Sequence, residues 1–332
     1  MTQPVPMLEI WRGNLLESQH LGHAVVCDAA GQVVESWGDA EKVIYPRSSC
    51  KMLQALPLIE SGAAQAFGLT PEQLALSCAS HQGAAIHTDR VQVWLNDMGL
   101  SVADFRCGPQ KPSDKDAHEA LVRGGKQPCQ IHNNCSGKHA GFLTLNKHLG
   151  FGSEYGEIDH PIQVAIRATF EEMTGETSDY WGIDGCSAPN FSTSVTGLAR
   201  AMGRMAKPSG SGVRAKAARQ LVDAMRAHPD LVAGEGRACT ELMRAMDGKV
   251  AVKTGAEGVF VAILPEQGLG MALKISDGGT RAAEAAIAGL LVRYGVLDAD
   301  HPMAKKRMYG PVLNWNGLNT GHMRLSPEFL QL

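Results

Sequence analysis

Short runs of alternating or continuous apolar residues open the chain. Leu8-Glu9-Ile10-Trp11, Ala24-Val25-Val26-Cys27 and Val33-Val34-Glu35-Ser36-Trp37 are rich in β-branched and aromatic residues and read as strands. Asp28-Ala29-Ala30-Gly31 between the last two is a turn signal, so these two are expected to pair as a hairpin. From Arg47 to Gly62 the period changes. Met52, Leu53, Leu56 and Ile59 recur at helical spacing behind Pro46, which puts Ser48 at a helix start. The stretches from about Leu69 to Gly99 and from Pro161 to Arg200 read as mainly helical, broken by Gly- and Pro-containing loops. Lys207-Pro208-Ser209-Gly210-Ser211-Gly212 is polar and flexible, a surface loop or lid. Strands return at Lys249 to Lys253, Val259 to Leu264 and Gly270 to Ile275, ahead of an alanine-rich helix from about Thr280 to Tyr294.

Strands at both chain ends with helices between them predict an α/β (α+β) fold. An antiparallel sheet of N- and C-terminal strands is flanked by helices, and a mainly helical subdomain is inserted in the middle. The expected division is a sheet-containing part at about 1–62 and 213–332 and a helical part at about 63–212, together one catalytic unit of 332 residues.

Composition narrows the partners. A formal net charge of -3 with 20% charged residues offers no basic stripe for nucleic acid, and no run is long enough to span a membrane. A small molecule is the expected partner. Trp11, Arg12, Glu17 and Asp28 interrupt any signal-peptide pattern in the first thirty residues, so a cytoplasmic location is expected, with the eight cysteines mostly reduced.

Three segments, Ser48-Ser49-Cys50-Lys51, Ser77-Cys78-Ala79-Ser80 and Lys253-Thr254-Gly255, recur in the order used by lysine-assisted serine acyl-transfer enzymes of the penicillin-recognising type. A serine hydroxyl is nearly inert at neutral pH and needs a base within reach. On a helix, positions i and i+3 share a face, so Lys51 is expected beside Ser48, near free backbone N–H groups suited to an oxyanion. To act as a base Lys51 must lose its proton, which asks for a pKa roughly 3 below its usual ~10.4. A neighbouring cation such as Lys253 favours that loss. Ser80 paired with Lys253 would then make a second Ser-Lys dyad. Taken one at a time, Ser48 and Ser80 also read as plain caps and Lys51 as a solvated helical lysine.

In mid-chain, His132-Asn133-Asn134-Cys135-Ser136-Gly137-Lys138-His139-Ala140-Gly141-Phe142 and Trp181-Gly182-Ile183-Asp184-Gly185-Cys186-Ser187-Ala188-Pro189 each set a cysteine among small and polar residues. Two thiolates from separate loops, with His132, His139 or Lys138, would satisfy much of a tetrahedral zinc site. Spacing alone favours histidine as the third ligand, because a lysine amine must first be deprotonated. It also leaves open that the two are unconnected core cysteines.

Arg47-Ser48-Ser49-Cys50-Lys51, Cys78-Ala79-Ser80-His81, Cys135-Ser136-Gly137-Lys138-His139, Asp184-Gly185-Cys186 and Gly234-Glu235-Gly236-Arg237-Ala238-Cys239-Thr240 together resemble the rhizobial-type (class 3) L-asparaginases over nearly the whole chain. The resemblance implies a serine-β-lactamase- and glutaminase-like fold, a homodimer, and hydrolysis of L-asparagine to aspartate and ammonia. It implies Ser48 with Lys51 as one Ser-Lys tandem and Ser80 with Lys253 as the other. It places zinc (Zn2+) on Cys135, Lys138 and Cys186, against the preference for histidine. Arg47, Asp184, His139 and Cys239 become the candidate substrate-side residues, Asp184 facing the substrate ammonium and Arg47 a carboxylate or the dyad. Other readings of the same motifs are a β-lactam- or glutamine-directed serine amidohydrolase, a hydrolase whose nucleophile is zinc-bound water, and a non-catalytic zinc-stabilised ligand binder.

Overall fold

A computed structural model describes residues 3–330. Its strands in chain order are β1 (Val5–Arg12), β2 (Leu15–Asp28), β3 (Val33–Trp37), β4 (Val43–Ile44), β5 (Trp181–Ile183), β6 (Pro189–Phe191), β7 (Thr193–Ser194), β8 (Ala251–Thr254), β9 (Val259–Leu264), β10 (Leu269–Ile275), β11 (Pro311–Leu313) and β12 (Asn319–Leu325). Eight of them make one sheet in the order β11-β12-β1-β2-β10-β9-β8, with β3 also on β2. Every pairing in it is antiparallel, as the sequence led us to expect.

The 14-residue β2 is long enough to change neighbours along one edge. Its first half pairs with β1, down to Val5 opposite Gly22, and its second half pairs with β3, Ala24 opposite Trp37. This is the anticipated hairpin. The other edge of β2 carries β10, from Leu269 opposite Asp28 to Ile275 opposite Gly22. All six residues of β9 are buried, which requires cover on both faces of the sheet. The helices Val195–Ala206 and Thr280–Arg293 supply it. Where the first of these crosses the sheet, helix and strand backbones touch: a Cβ on Gly270 would lie 2.0 Å from the Gly203 nitrogen.

The chain divides into two compact units. One takes the chain up to Ser49, Thr193–Lys207 and everything from Glu241 onward; the other takes Cys50–Ser192 and Pro208–Thr240. The boundaries differ from the expected 62 and 213 for a packing reason. Helix Lys51–Glu60 is buried along almost its whole length against helices Ser136–Leu149, Pro161–Thr174 and Val213–Ala227, so it belongs with the helical unit. Helix Val195–Ala206 lies on β2 and β10 and belongs with the sheet.

The expected helical stretch from Pro161 to Arg200 is only helical at its ends. Helix Pro161–Thr174 stops at Gly175 in the left-handed region, and β5, β6 and β7 follow before helix Val195–Ala206 begins at its Ser194 cap. Strands β11 and β12 lie outside the sequence expectation altogether. All eight cysteines are free thiols. Among the described residues no helix is long and apolar enough to cross a membrane.

The Gly203–Gly270 contact has no room to relax, because backbone opposes backbone. Gly270→Ala is expected to lower unfolding free energy by about 1–3 kcal/mol or to block folding. Urea denaturation measures it, and a midpoint unchanged from wild type would refute the close approach.

Candidate active site

In the sheet unit, Ser48 lies on a 3-10 turn, Arg47–Cys50, rather than inside a regular α-helix, which begins only at Lys51. Pro46 anchors this turn: its carbonyl accepts from the Ser49 hydroxyl at 2.7 Å and from the Ser49 amide at 3.2 Å. Arg47 has φ 53, a left-handed value that a bulky residue holds at a cost of about 1–3 kcal/mol. The turn explains why the third motif ends in glycine. A Cβ on Gly255 would sit 2.6 Å from the Pro46 carbonyl and 3.2 Å from the Ser49 nitrogen. Lys253 lies on strand β8, two positions before Gly255. Lys253 is buried, and its Nζ donates to the Thr254 carbonyl at 2.7 Å.

In the helical unit, Lys51 is 1% exposed and donates to three acceptors: the Ala79 carbonyl, Ser80 Oγ at 3.0 Å and Cys135 Sγ at 3.1 Å. Three N–H donors with three acceptors are the full complement of an ammonium. The walls around Lys51 are two irregular segments. Ser80 N donates to the Val232 carbonyl at 2.9 Å and His81 N to the Asn134 carbonyl at 3.1 Å, which fixes 79–81 beside 134–135. Gly137 lets helix Ser136–Leu149 approach: a Cβ there would lie 2.4 Å from the Leu76 carbonyl.

Cys186 sits in the five-residue loop of a small hairpin. Strands β5 and β6 pair around it, Asp184 N bonds to the Ala188 carbonyl at 2.9 Å, and Ser187 takes φ 68. The loop turns Cys186 inward, buried, 3.0 Å from Lys138 Nζ. Cys186 is held well below the usual thiol range by a hydrogen bond from Cys135, then by the Lys138 charge and His139, against burial. Cys135 is pushed up by donating that bond and by burial, and Asn134 Oδ1 stands 2.9 Å from the same sulfur as a second acceptor. For Lys138 burial is the largest influence and opposes the charge, but the two sulfurs outweigh it and raise its pKa. Cys50 and Cys107 are each pushed up to about 12 by burial.

His139 is fully buried beside Phe105, Phe142 and Tyr155. The Arg106 amide donates to Tyr155 Oη at 2.8 Å, and the same oxygen is hydrogen-bonded to His139 Nδ1 at 2.9 Å. The His139 Nε2 has no partner within hydrogen-bond geometry, while the nearby Cys186 sulfur works against the burial that lowers the His139 pKa. Burial is also the main cause lowering His81 and His87, whose rings stack at 4.8 Å.

Two buried thiols, a buried amine and an orphaned imidazole nitrogen are a donor set that fits a tetrahedral zinc ion. Around zinc a nitrogen and a sulfur stand ~3.6 Å apart, slightly wider than the Lys138–Cys186 contact. No three His, Cys, Asp or Glu side chains among the described residues make a metal-holding group by themselves. Asp184 is half-buried on the same loop, accepts from the Gly185 amide at 2.7 Å and adds to the attraction on Lys138. Cys239 is buried on helix Ala238–Ala245. The structure thus joins Lys51, Ser80 and Cys135, and joins Lys138, Cys186 and His139. It places Ser48, Arg47 and Lys253 in the sheet unit. Tyr155, Asn134 and His81 are site residues that the sequence reading passed over; only the last two lie within or next to a motif.

Residues 8–325 match the sequence profile of the family described as L-asparaginase II. The chain belongs to this family. No curated protein matches it. Among solved structures, a β-lactamase from Mycobacterium bovis is similar at 15% identity, covering 88% of this chain and 96% of its own, with a TM-score of 0.46. A protein named Mglu is similar at 13% identity, covering 84% of this chain and 68% of its own, with a TM-score of 0.47. Membership of L-asparaginase II makes the protein an amidohydrolase with a small-molecule substrate.

Two expectations follow for this asparaginase-family site. Tyr155→Phe removes the hydroxyl bonded to a buried imidazole and should destabilise the helical unit by about 1–3 kcal/mol in denaturant unfolding; an unchanged stability contradicts the Tyr155–His139 bond. His81 and His87 have folded pKa values lowered from 6.5, so the unfolded chain binds more protons just below that value. Stability should therefore be full above pH 6.5 and fall as pH drops from there, by up to about 1.4 kcal/mol per pH unit for each histidine. His87→Gln, which keeps a donor near the Asp230 carbonyl now 2.9 Å from Nε2, should flatten that slope.

Proposed function

We propose that the protein is an L-asparagine amidohydrolase that forms L-aspartate and ammonia through a serine acyl-enzyme. The observation that carries the reading is the buried Lys51–Ser80 hydrogen bond of 3.0 Å, made by a lysine three residues after Ser48. Ser48 and Lys51 are tied by three peptide links, so the base and the nucleophile come from one turn of chain.

In this reading Lys51 takes the Ser48 proton as Ser48 Oγ attacks the side-chain amide carbon. Backbone N–H groups of the 47–50 turn hold the oxyanion, where donors aimed at developing charge give the largest gain in rate. The C–N bond breaks, and the nitrogen leaves as ammonia with the transferred proton. Ser80, with Lys253 as its second lysine, relays that proton and then orients the water that splits the β-aspartyl ester and restores Ser48. Arg47 meets the substrate carboxylate and Asp184 its ammonium. Cys135, Lys138 and Cys186 would hold zinc, which would supply positive charge for fixing the substrate, and His139 would support Cys186 from beside it. The reading extends to a cytoplasmic homodimer.

Ser48→Ala should lower ammonia release from asparagine by at least ~1,000-fold with the thermal midpoint kept. Turnover retained in that variant would sink the serine mechanism. Faster release from glutamine, or turnover of a chromogenic β-lactam, would move the substrate to those classes. Cys186→Ser should lose bound zinc on elemental analysis and raise KM more than it lowers kcat. A kcat that vanishes on chelation at saturating asparagine would instead make zinc-bound water the nucleophile.

A further inference from the structure

In the sheet unit a cavity of about 350 Å³ is lined by His23, Asp39, Lys42, Lys274 and Ser276. His23 and Lys274 stand directly opposite each other on β2 and β10, so their side chains share one face of the sheet. The turn after β3 brings Asp39 and Lys42 to the same place. It is pinned by Lys42 N on the Asp39 carbonyl at 3.3 Å and by Val195 N on the Lys42 carbonyl at 3.1 Å. His23 is 4% exposed, and the Asp39 amide donates to its Nδ1 at 2.8 Å. A backbone N–H can only donate, so Nδ1 accepts and the neutral ring carries its hydrogen on Nε2. Burial is the largest influence lowering the His23 pKa, and Lys42 and Lys274 add to it against Asp39, so the ring is neutral at pH 7 and above. Nε2 meets no acceptor among the described residues, yet it is not one of the sealed, unpaired polar atoms. Its N–H therefore keeps a reachable surface, on a ring that lines the cavity.

Charge selects the ligand. Lys274 is half-buried and spends two of its three N–H groups on the Glu257 and Ile275 carbonyls, which leaves one. Lys42 is exposed, and neither lysine enters an ion pair among the described residues. The Lys42 charge depresses the pKa of Lys274 as well as that of His23, so it reaches both. Glu257 and Asp277 act on Lys274 from outside the lining, where Asp39 is the one carboxylate, its Oδ1 accepting from the Glu41 amide at 3.2 Å. Two ammonium groups against one carboxylate, with a neutral N–H and the Ser276 hydroxyl beside them, favour an oxygen-rich anion. We infer that this cavity is a second ligand site, which takes an oxyanion, the phosphate or carboxylate group of a small molecule, on His23 Nε2, Lys42 and Lys274. It shares no residue with the Ser-Lys chemistry and stands or falls independently of the reaction.

Inorganic phosphate is the probe. Titrated at constant ionic strength and about pH 7.5 into the full chain with 15N-labelled histidines, it should shift one of the twelve imidazoles saturably, the one lost in His23→Gln. Lys42→Gln and Lys274→Gln should each weaken that binding by about tenfold. Asp39→Asn removes the opposing charge, keeps an acceptor for the Glu41 amide and should tighten it. Acetate binding more tightly than phosphate assigns the site to carboxylates and the reverse order to phosphoryl groups, both in agreement with the inference. His23 resonances that stay fixed up to about 10 mM of either anion, or that chloride shifts equally, would overturn it. So would affinity unchanged in both lysine variants or weakened in Asp39→Asn. Should His23→Gln fail to fold, the contact between the Asp39 amide proton and the ring assigns the resonance in the wild type, and the lysine variants still decide.

Discussion

The interaction on which the helical unit depends is the burial of the Lys51 side-chain nitrogen. A polar nitrogen 1% exposed must find partners inside the protein, and its three acceptors come from two segments of the chain, Ala79-Ser80 and Cys135. To deliver the Ala79 carbonyl and Ser80 hydroxyl, helix Pro71–Ser77 has to end where it does, with the Ser77 hydroxyl turned back to the Leu74 carbonyl at 2.6 Å. To deliver Cys135, helix Ser136–Leu149 has to start against Leu76, which only a glycine at 137 allows. The polar centre thus dictates helix ends and helix contacts around it, in the same way that a hydrophobic core usually does.

The sheet was legible wherever its strands are buried on both faces. Val259 to Leu264 is a continuous apolar run that can only be a covered strand, and the β2–β3 hairpin announced itself by the Asp28–Gly31 turn. Strands β11 and β12 were not legible, because Asn319-Thr320-Gly321-His322-Met323-Arg324-Leu325, with only the three-residue β11 outside it in the sheet, is half exposed and mostly polar. Strands there are made by pairing with β1 rather than by their own composition. The same holds for β5 and β6, three residues each, which exist to turn Cys186 inward.

In the site, residues that act through a motif were visible and residues that act through space were not. Ser48, Lys51, Ser80, Cys135, Lys138 and Cys186 sit in segments whose glycines and small residues mark close backbone approach, and Gly137 and Gly255 have that use. Tyr155 lies 16 residues beyond His139 in a loop with no pattern, and only the Arg106–Tyr155–His139 chain of hydrogen bonds reveals it. Spacing pointed to histidine near the two cysteines and the resemblance to Lys138; the structure puts both beside Cys186, the lysine at 3.0 Å and the imidazole by its orphaned nitrogen.

The compact units meet the covalent chain at an informative place. The first passage from sheet unit to helical unit falls between Ser49 and Cys50, inside the S-x-x-K motif itself. Arg47 holds a left-handed φ immediately before that passage, and Lys51 is locked by three acceptors immediately after it. A three-residue spacing is therefore more than a helical repeat. Anything that moves the Pro46 turn, through Gly255 or Arg47, pulls on Ser48 directly, whereas Lys51 stays with Ser80 and Cys135. Ser48 and Lys51 are secured by different parts of the fold and held together by the backbone between them, so a short peptide segment sets their registry. That is a physical reason for the motif to be contiguous in sequence while the remaining site residues are scattered.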